Sequence, residues 1–397
     1  MGTQHNAPDE RFGVLEEGGR GALEGLRVAD FSRVLAGPYA TMLLADLGAD
    51  VVKVERPGIG DDTRAWHPPA DRDGTSTYFL SVNRNKRSVV LDLTTQTGLA
   101  QARALVAESD VLVENFRPGT MERLGLGPRE LRSRHPGLVY CSISGFGSGA
   151  GAAIPGYDLL VQAVGGLMSV TGEADGGPVK AGVALVDVIT GLHASLGILA
   201  ALRHRDATGE GQCVEVNLLG SLLSAMVNQA SAFAVAGVVP GRMGNAHPSI
   251  APYETFPAAD RPIALAVGND RQFAALAEAV GDPGLAADDR FRTNADRVAH
   301  RAALRHILTE RLGAAGADHW SAVLLAAGVP AGPVNSLDEA FDFARKLGLP
   351  GIVDLPAAAG EDRSSRQVAS PIALSGTPAQ YRLPPPRLGQ HTAEILH

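Results

Sequence analysis

An α/β fold with a parallel sheet is what this 397-residue chain predicts, on two observations. From residue 26 onward, short β-rich runs alternate with helical segments, and a strand, helix, strand order implies parallel strands joined by crossover helices. Composition agrees: 45% hydrophobic and 20% charged residues is ordinary globular usage, which favours neither disorder nor a fibrous repeat. The 47 glycines and 25 prolines follow no fixed period, and the length suits two or three domains.

Residues 1–24 carry early acids and lack a basic start followed by an apolar core, so they read as a flexible leader. The first strand is "LRVADFS" (26–32), followed by the helical "PYATMLLADLG" (38–48) and the strand "ADVVKVE" (49–55). Further strands are expected at "SVVLDL" (88–93), "DVLVEN" (110–115) and "LVYCSISGF" (138–146), with a helix over 97–108. Together they predict a large Rossmann-like layer spanning 25–225. Ligands of such sheets meet the carboxyl ends of the strands, where "DFSRV", "VERPGIGDDTR" and "VENFRPG" fall.

The run "AGVALVDVITGLHASLGILAAL" (181–202) is the most apolar long stretch. It has the length of a membrane span, but it contains Asp187 and His193, and an acid near a helix centre costs roughly 2.5–3.5 kcal/mol in hydrocarbon. A helix buried in protein explains the same apolarity without that cost. A polar turn, a strand and a second apolar helix follow over 203–230. A Gly/Pro-rich connection then leads into a smaller α/β unit, 240–335, with helices at 270–280 and 300–312. Residues 336–397 read as a return linker and a Pro-rich arm packing on the large domain or on another subunit.

The formal net charge of −8 argues against nonspecific nucleic-acid binding, while leaving room for a local basic pocket. Two cysteines, Cys141 and Cys213, make neither a disulfide framework nor a cysteine zinc site, and a reduced cytosol fits them best. No Walker loop, G-x-G-x-x-G, G-x-S-x-G or H-E-x-x-H occurs, and the eleven histidines show no metal-ligand spacing. No metal, nucleic acid or membrane is expected among the partners.

What remains is cations at expected strand ends: Arg33, Arg56, Arg64, Lys86, Arg87, Arg117 and Arg123. Gathered on one edge by the fold they could hold several phosphates, and scattered they are a solvated rim. Two acids stand apart, Asp158 and Asp187, each where a Gly-containing loop meets an apolar helical run. Aspartate at such a junction caps a helix N-terminus. The same exposed amides also stabilise an oxyanion, so capping and catalysis both stay open on position alone.

Six ordered segments carry a resemblance. "LRVADFSRVLAGPYATMLLADLGADVVKVERPGIGDDTR", "NRNKRSVVLDL", "DVLVENFRPG", "GYDLLVQAVGGLMSVTGE", "VDVITGLHASLGILAAL" and "HPSIAPYETF" are similar to the family III CoA-transferases, which include formyl-CoA transferase and the α-methylacyl-CoA racemases. The resemblance runs from about residue 25 to the C-terminus. It implies a Rossmann-like domain and a small domain in an interlocked homodimer. Asp187 falls at the place of the nucleophile, with Tyr157 and Asp158 beside it. Positions matching CoA contacts are Arg33, Val34, Arg56, Leu91, Leu93, Asn115, Phe116 and Arg123. Coenzyme A and its acyl thioesters are implied as substrates, with a small carboxylic acid as the other partner and no tightly bound cofactor.

Departures from the pattern bear on the branch. The racemases place a His before the acid at position 158, where this chain has Tyr157, and a phenol with its ordinary pKa near about 10 is a poor proton shuttle at neutral pH. Transfer is therefore expected over racemisation or epimerisation, with a CoA-binding protein without turnover as the reading from another class. Formyl-CoA transferase has a glutamine where Leu35 stands, and its glycine run is replaced by "GRMGNAHPSIAPYETF", as in members acting on succinyl-CoA and dicarboxylic acids. There Arg242 and His247 either meet a distal carboxylate or position the linker.

Overall fold

The computed structural model describes residues 20–72, 74–355 and 365–396, so most of the leader read over 1–24 lies outside the described residues. The chain divides into two compact units. One takes the chain through Gly165, Gly182–Ser231 and the chain from Leu349 on, and the other takes Gly166–Ala181 and Ala232–Gly348.

Six strands form the sheet of the first unit: β1 (Arg27–Asp30), β2 (Asp50–Glu55), β3 (Lys86–Val90), β4 (Val111–Glu114), β5 (Val139–Ser144) and β6 (Cys213–Asn217). Their order is β3-β2-β1-β4-β5-β6, and every pairing is parallel. Valines dominate because helices cover both faces, so consecutive residues are buried, as in Val51 and Val52 of β2 and Val111 to Val113 of β4. The strand order reverses between β1 and β4, which opens a crevice at their carboxyl ends.

The apolar run singled out in the sequence is one helix, Leu185–Thr208, of 24 residues. By length and apolarity alone it could cross a membrane. Within its unit, however, Val186, Ala194 and Ile198 are buried, and Gly191 lies against the helix Ala36–Asp46. A Cβ at Gly191 would stand 2.7 Å from the Ala36 carbonyl oxygen, so only glycine permits this approach. Gly209, with φ of 79°, ends the helix in the left-handed conformation that a side chain would strain.

The C-terminal arm belongs to the first unit and is pinned by Asn85. Its Nδ2 donates to Asp46 Oδ1 (2.8 Å) and the Gln380 carbonyl (2.7 Å), and its Oδ1 accepts from the amides of Arg382 (2.7 Å) and Leu383 (3.0 Å). Farther on, Thr392 Oγ1 accepts from the Val90 amide at 3.0 Å, tying the arm to the edge strand.

In the second unit β7 (Tyr253–Pro257), β8 (Pro262–Ala266) and β9 (Ala331–Pro333) form an antiparallel sheet. Its core gathers Phe256, Leu265, Phe273, Leu308 and Trp320. Gly166–Ala181 groups with this unit although its neighbours in sequence do not, because Arg242 donates to the Gly176 carbonyl (2.8 Å) and the Gly244 amide to that of Gly172 (3.0 Å).

Candidate active site

The crevice is assembled by two strand-end turns. Asn115, just past β4, accepts from the Arg33 amide with Oδ1 (2.9 Å) and donates to the Arg33 carbonyl with Nδ2 (2.7 Å), closing the gap between β1 and β4. Val34 follows with φ of 70°, a left-handed backbone that costs a β-branched residue about 1–3 kcal/mol. Asp61 holds it there, accepting from the Val34 amide at 3.2 Å.

Asp61 is itself buried against Lys53, whose Nζ lies 2.8 Å from Oδ2 and also donates to the Ser32 carbonyl at 2.9 Å. Burial alone would raise this carboxyl. The Lys53 ammonium and the Thr63 amide and hydroxyl outweigh it and hold Asp61 at about 2. The loop thus rests on a fixed charge pair.

Over this base lies a cavity of about 200 Å³ lined in part by Arg33, Val34, Leu35, Asp62, Asn115, Phe116, Arg117, Tyr157 and Asp187. Asp187 sits in the first turn of Leu185–Thr208, whose N-cap residue, Ala184, has no hydrogen-bonding side chain. The cap comes instead from Asp158, whose Oδ1 accepts from the amides of Val186 (2.8 Å) and Asp187 (3.3 Å) while Oδ2 accepts from Gln162 Nε2 (2.5 Å). Burial pushes the Asp187 carboxyl up to about 7, and the neighbouring Asp158 charge pushes the same way. A carboxylate so placed is poised between its two protonation states near neutrality.

Tyr78 was not singled out from the sequence, since nothing in "TSTYFL" marks it. Its hydroxyl is pushed up to about 12 by burial and by Asp187 and Asp158, and its ring stands edge-on to Trp66 with centroids 5.3 Å apart. Its phenol therefore stays protonated, and its ring packs in one cluster with Leu35, Ala184 and Val188, next to the turn that carries Asp187. Tyr157 lines the mouth of the cavity with its ring exposed.

The strand-end cations separate into two groups. The Arg33 guanidinium lies 5.1 Å from the Phe116 ring centroid and donates to Asp62 at 3.4 Å, and Arg56 pairs with the same Asp62. Arg117 lines the cavity. Three others are not available to a phosphate. Lys86 is fully buried against Asp30, Asn83 and the Pro38 carbonyl, Arg64 forks onto Glu55, and Arg87 pairs with Asp50 and Glu394. β3 begins at Lys86, so Lys86 and Arg87 stand at its amino end, and the Lys86 side chain reaches the carboxyl end of β1 only to be buried against Asp30.

Other positions singled out from the sequence lie apart. Leu91 is buried in the sheet core, Leu93 packs against that core, and Arg123 donates to Thr120 Oγ1 at 3.0 Å. In the second unit the Arg242 guanidinium serves main-chain carbonyls, and His247 Nδ1 accepts from the Ser249 amide at 3.1 Å with its ring tilted on Tyr253. Both side chains are engaged in holding local chain. Among the described residues no group of three His, Cys, Asp or Glu side chains is placed to hold a metal ion.

The sequence model of CoA-transferase family III matches residues 23–392. Succinate–glutarate CoA-transferase of Agrobacterium fabrum is 46% identical over 381 residues, covering 94% of each chain. Succinyl-CoA:mesaconate CoA-transferase of Haloarcula hispanica is 40% identical, over 95% of this chain and 96% of that one. A crystal structure of a CAIB/BAIF family protein from Brucella suis is similar with a TM-score of 0.84 and 41% identity, over 95% of this chain and 98% of that one.

Proposed function

The chain belongs to CoA-transferase family III, and on that premise we propose that it moves CoA from a succinyl-CoA-type thioester to a second carboxylic acid, with Asp187 as the acyl acceptor. One observation carries the assignment: Asp187 is the carboxylate of the cavity at the β1/β4 crevice whose ionisation lies near neutrality. The dicarboxylate preference is supported by the names of the similar transferases from Agrobacterium and Haloarcula.

Ionised Asp187 attacks the thioester carbonyl, and the tetrahedral adduct collapses with C–S cleavage to release CoA as thiolate and leave a mixed anhydride on the enzyme. The thiolate then attacks the aspartyl carbonyl, releasing the donor acid and leaving an aspartyl–CoA thioester. The acceptor carboxylate reverses both steps, so the carboxylate of Asp187 is regenerated and no proton is gained or lost overall. Tyr78, protonated and packed in one cluster with Leu35 and Ala184, has the chemistry to donate to an oxyanion formed at Asp187. Arg33, Val34, Arg56, Asn115, Phe116 and Arg117 would hold the nucleotide end of CoA.

The active form is read as a homodimer. Leu159 and Val164 on the helix Asp158–Val164, Leu192 and Leu196 on Leu185–Thr208, and Leu223 on Leu218–Ala225 are exposed within one unit, an apolar surface that a second copy would cover. Light scattering of Leu196→Glu beside the unaltered protein tests this.

The functional test is donor thioester alone. Mass spectrometry should find an acyl or CoA adduct on the peptide carrying Asp187, lost on hydroxylamine treatment and absent from Asp187→Ala. Full transfer by Asp187→Ala would remove the residue from the chemistry.

A further inference from the structure

We infer that Asp62 is an internal competitor for the phosphates of CoA, an anion built into the site that weakens ligand binding and speeds release. The inference rests on the CoA binding proposed above. Asp62 bridges two guanidinium groups: Oδ2 accepts from Arg33 Nη1 at 3.4 Å, and Oδ1 pairs with Arg56 Nη2. It lines the cavity with its side chain 39% exposed, between Arg33, which also lines it, and Arg56.

Each arginine keeps its place without it. Arg33 is stacked on Phe116, and Arg56 Nε donates to the Gly60 carbonyl at 3.0 Å. Asp62 is therefore not what orients them. The adjacent Asp61 shows the contrast: buried, paired with Lys53 and bonded to the Val34 amide, it is committed to the scaffold. One acid of the pair is structural and the other displaceable. A phosphate carries more charge and more acceptor oxygens than a carboxylate, so it can displace Asp62 from both arginines, at the cost of breaking two ion pairs. The effect is a tighter grip on phosphate-bearing ligands than on simple carboxylates, with CoA held less firmly than two free arginines would hold it.

The test is calorimetric titration of the full chain with CoA and with pantetheine, which has no phosphate. Asp62→Asn and Asp62→Ala should lower the Kd for CoA about fivefold, the combined size of two weak exposed ion pairs, and steepen its loss with salt. Neither should bind pantetheine more tightly. Asp206→Asn, at an exposed acid in the last turn of Leu185–Thr208, controls for net charge and should change nothing. A CoA Kd that is unchanged or raised in both Asp62 variants overturns the inference, as does an equal gain for pantetheine. Failure of the proposed CoA binding would look different, since the unaltered protein would then bind no CoA, and failure of transfer alone would leave these titrations unchanged.

Discussion

Asp158 accepts the amide N–H of Asp187, and with the same oxygen that of Val186, so the acid proposed to attack the thioester is held in place by another acid 29 residues earlier in the chain. Both aspartates sit where a loop becomes a helix, and by position each could have been cap or nucleophile. The fold divides the roles. Asp158 spends one oxygen on amides, leaving the Asp187 carboxylate to the cavity.

The division has a pH signature. As the proposed acyl acceptor Asp187 must be ionised to attack, so kcat/KM for the thioester should rise with pH through about 7. Asp158→Asn keeps an oxygen for the cap and removes a charge, so the midpoint should move down while staying above that of a free aspartate, because burial is the larger cause. A midpoint that stays or moves up would mean that Asp158 does not act on Asp187 through its charge.

Stability should carry the opposite sign from that of a salt-bridged acid. With its folded pKa raised from 3.8 to about 7, Asp187 binds a proton more tightly in the native state, so stability falls as pH rises between those values and is level above. Asp187→Asn does not titrate. Its melting temperature relative to the unaltered protein should be near unchanged at pH 4 and should climb by several degrees by pH 8. A difference independent of pH would contradict the burial of the carboxylate.

Asp61→Ala should be costly in a different way. It strands Lys53 in the interior and frees the Val34 amide, with an expected loss of about 3–5 kcal/mol in chemical denaturation. The depressed pKa means that this contribution is present above the ordinary carboxylate range and is lost as pH falls through about 2. If the variant folds, KM for acyl-CoA should rise more than kcat falls, since the Arg33–Val34 loop is loosened.

Asn85→Ala should release the C-terminal arm. It leaves the Arg382 and Leu383 amides without their acceptor and puts a Cβ without a polar partner at a φ of 61°, for roughly 2–4 kcal/mol. Asn85→Gly relieves only the backbone and should remain destabilised. Limited proteolysis should cut beyond residue 369 in both variants and spare the unaltered chain.

Much of this was legible along the chain. Alternating strand and helix runs marked the parallel sheet of the first unit, and the six strand-end and helix-start motifs marked the family. The junction of a glycine-containing loop with an apolar run marked Asp158 and Asp187 as unusual. These are local or periodic properties, so reading one segment at a time recovers them. Which strand-end cations could meet a phosphate stayed open along the chain, because the carboxylates that occupy Arg64, Lys86 and Arg87 are fixed by the fold. Lys86 and Arg87 open β3, and their carboxylate partners Asp30, Asp50 and Glu394 come from other segments.

What the chain determined by itself is the fold class, the crevice and the two candidate acids. Only the tertiary structure decided which acid caps and which lines the cavity, that Tyr78 feels the charge of both, and that Arg33 and Arg56 already share Asp62 while Lys53 pairs with Asp61. The physical reason is range. Helix and strand preferences act over a few residues, whereas an ion pair or a pKa shift depends on separations of a few ångströms between groups tens of residues apart, and folding alone sets those separations.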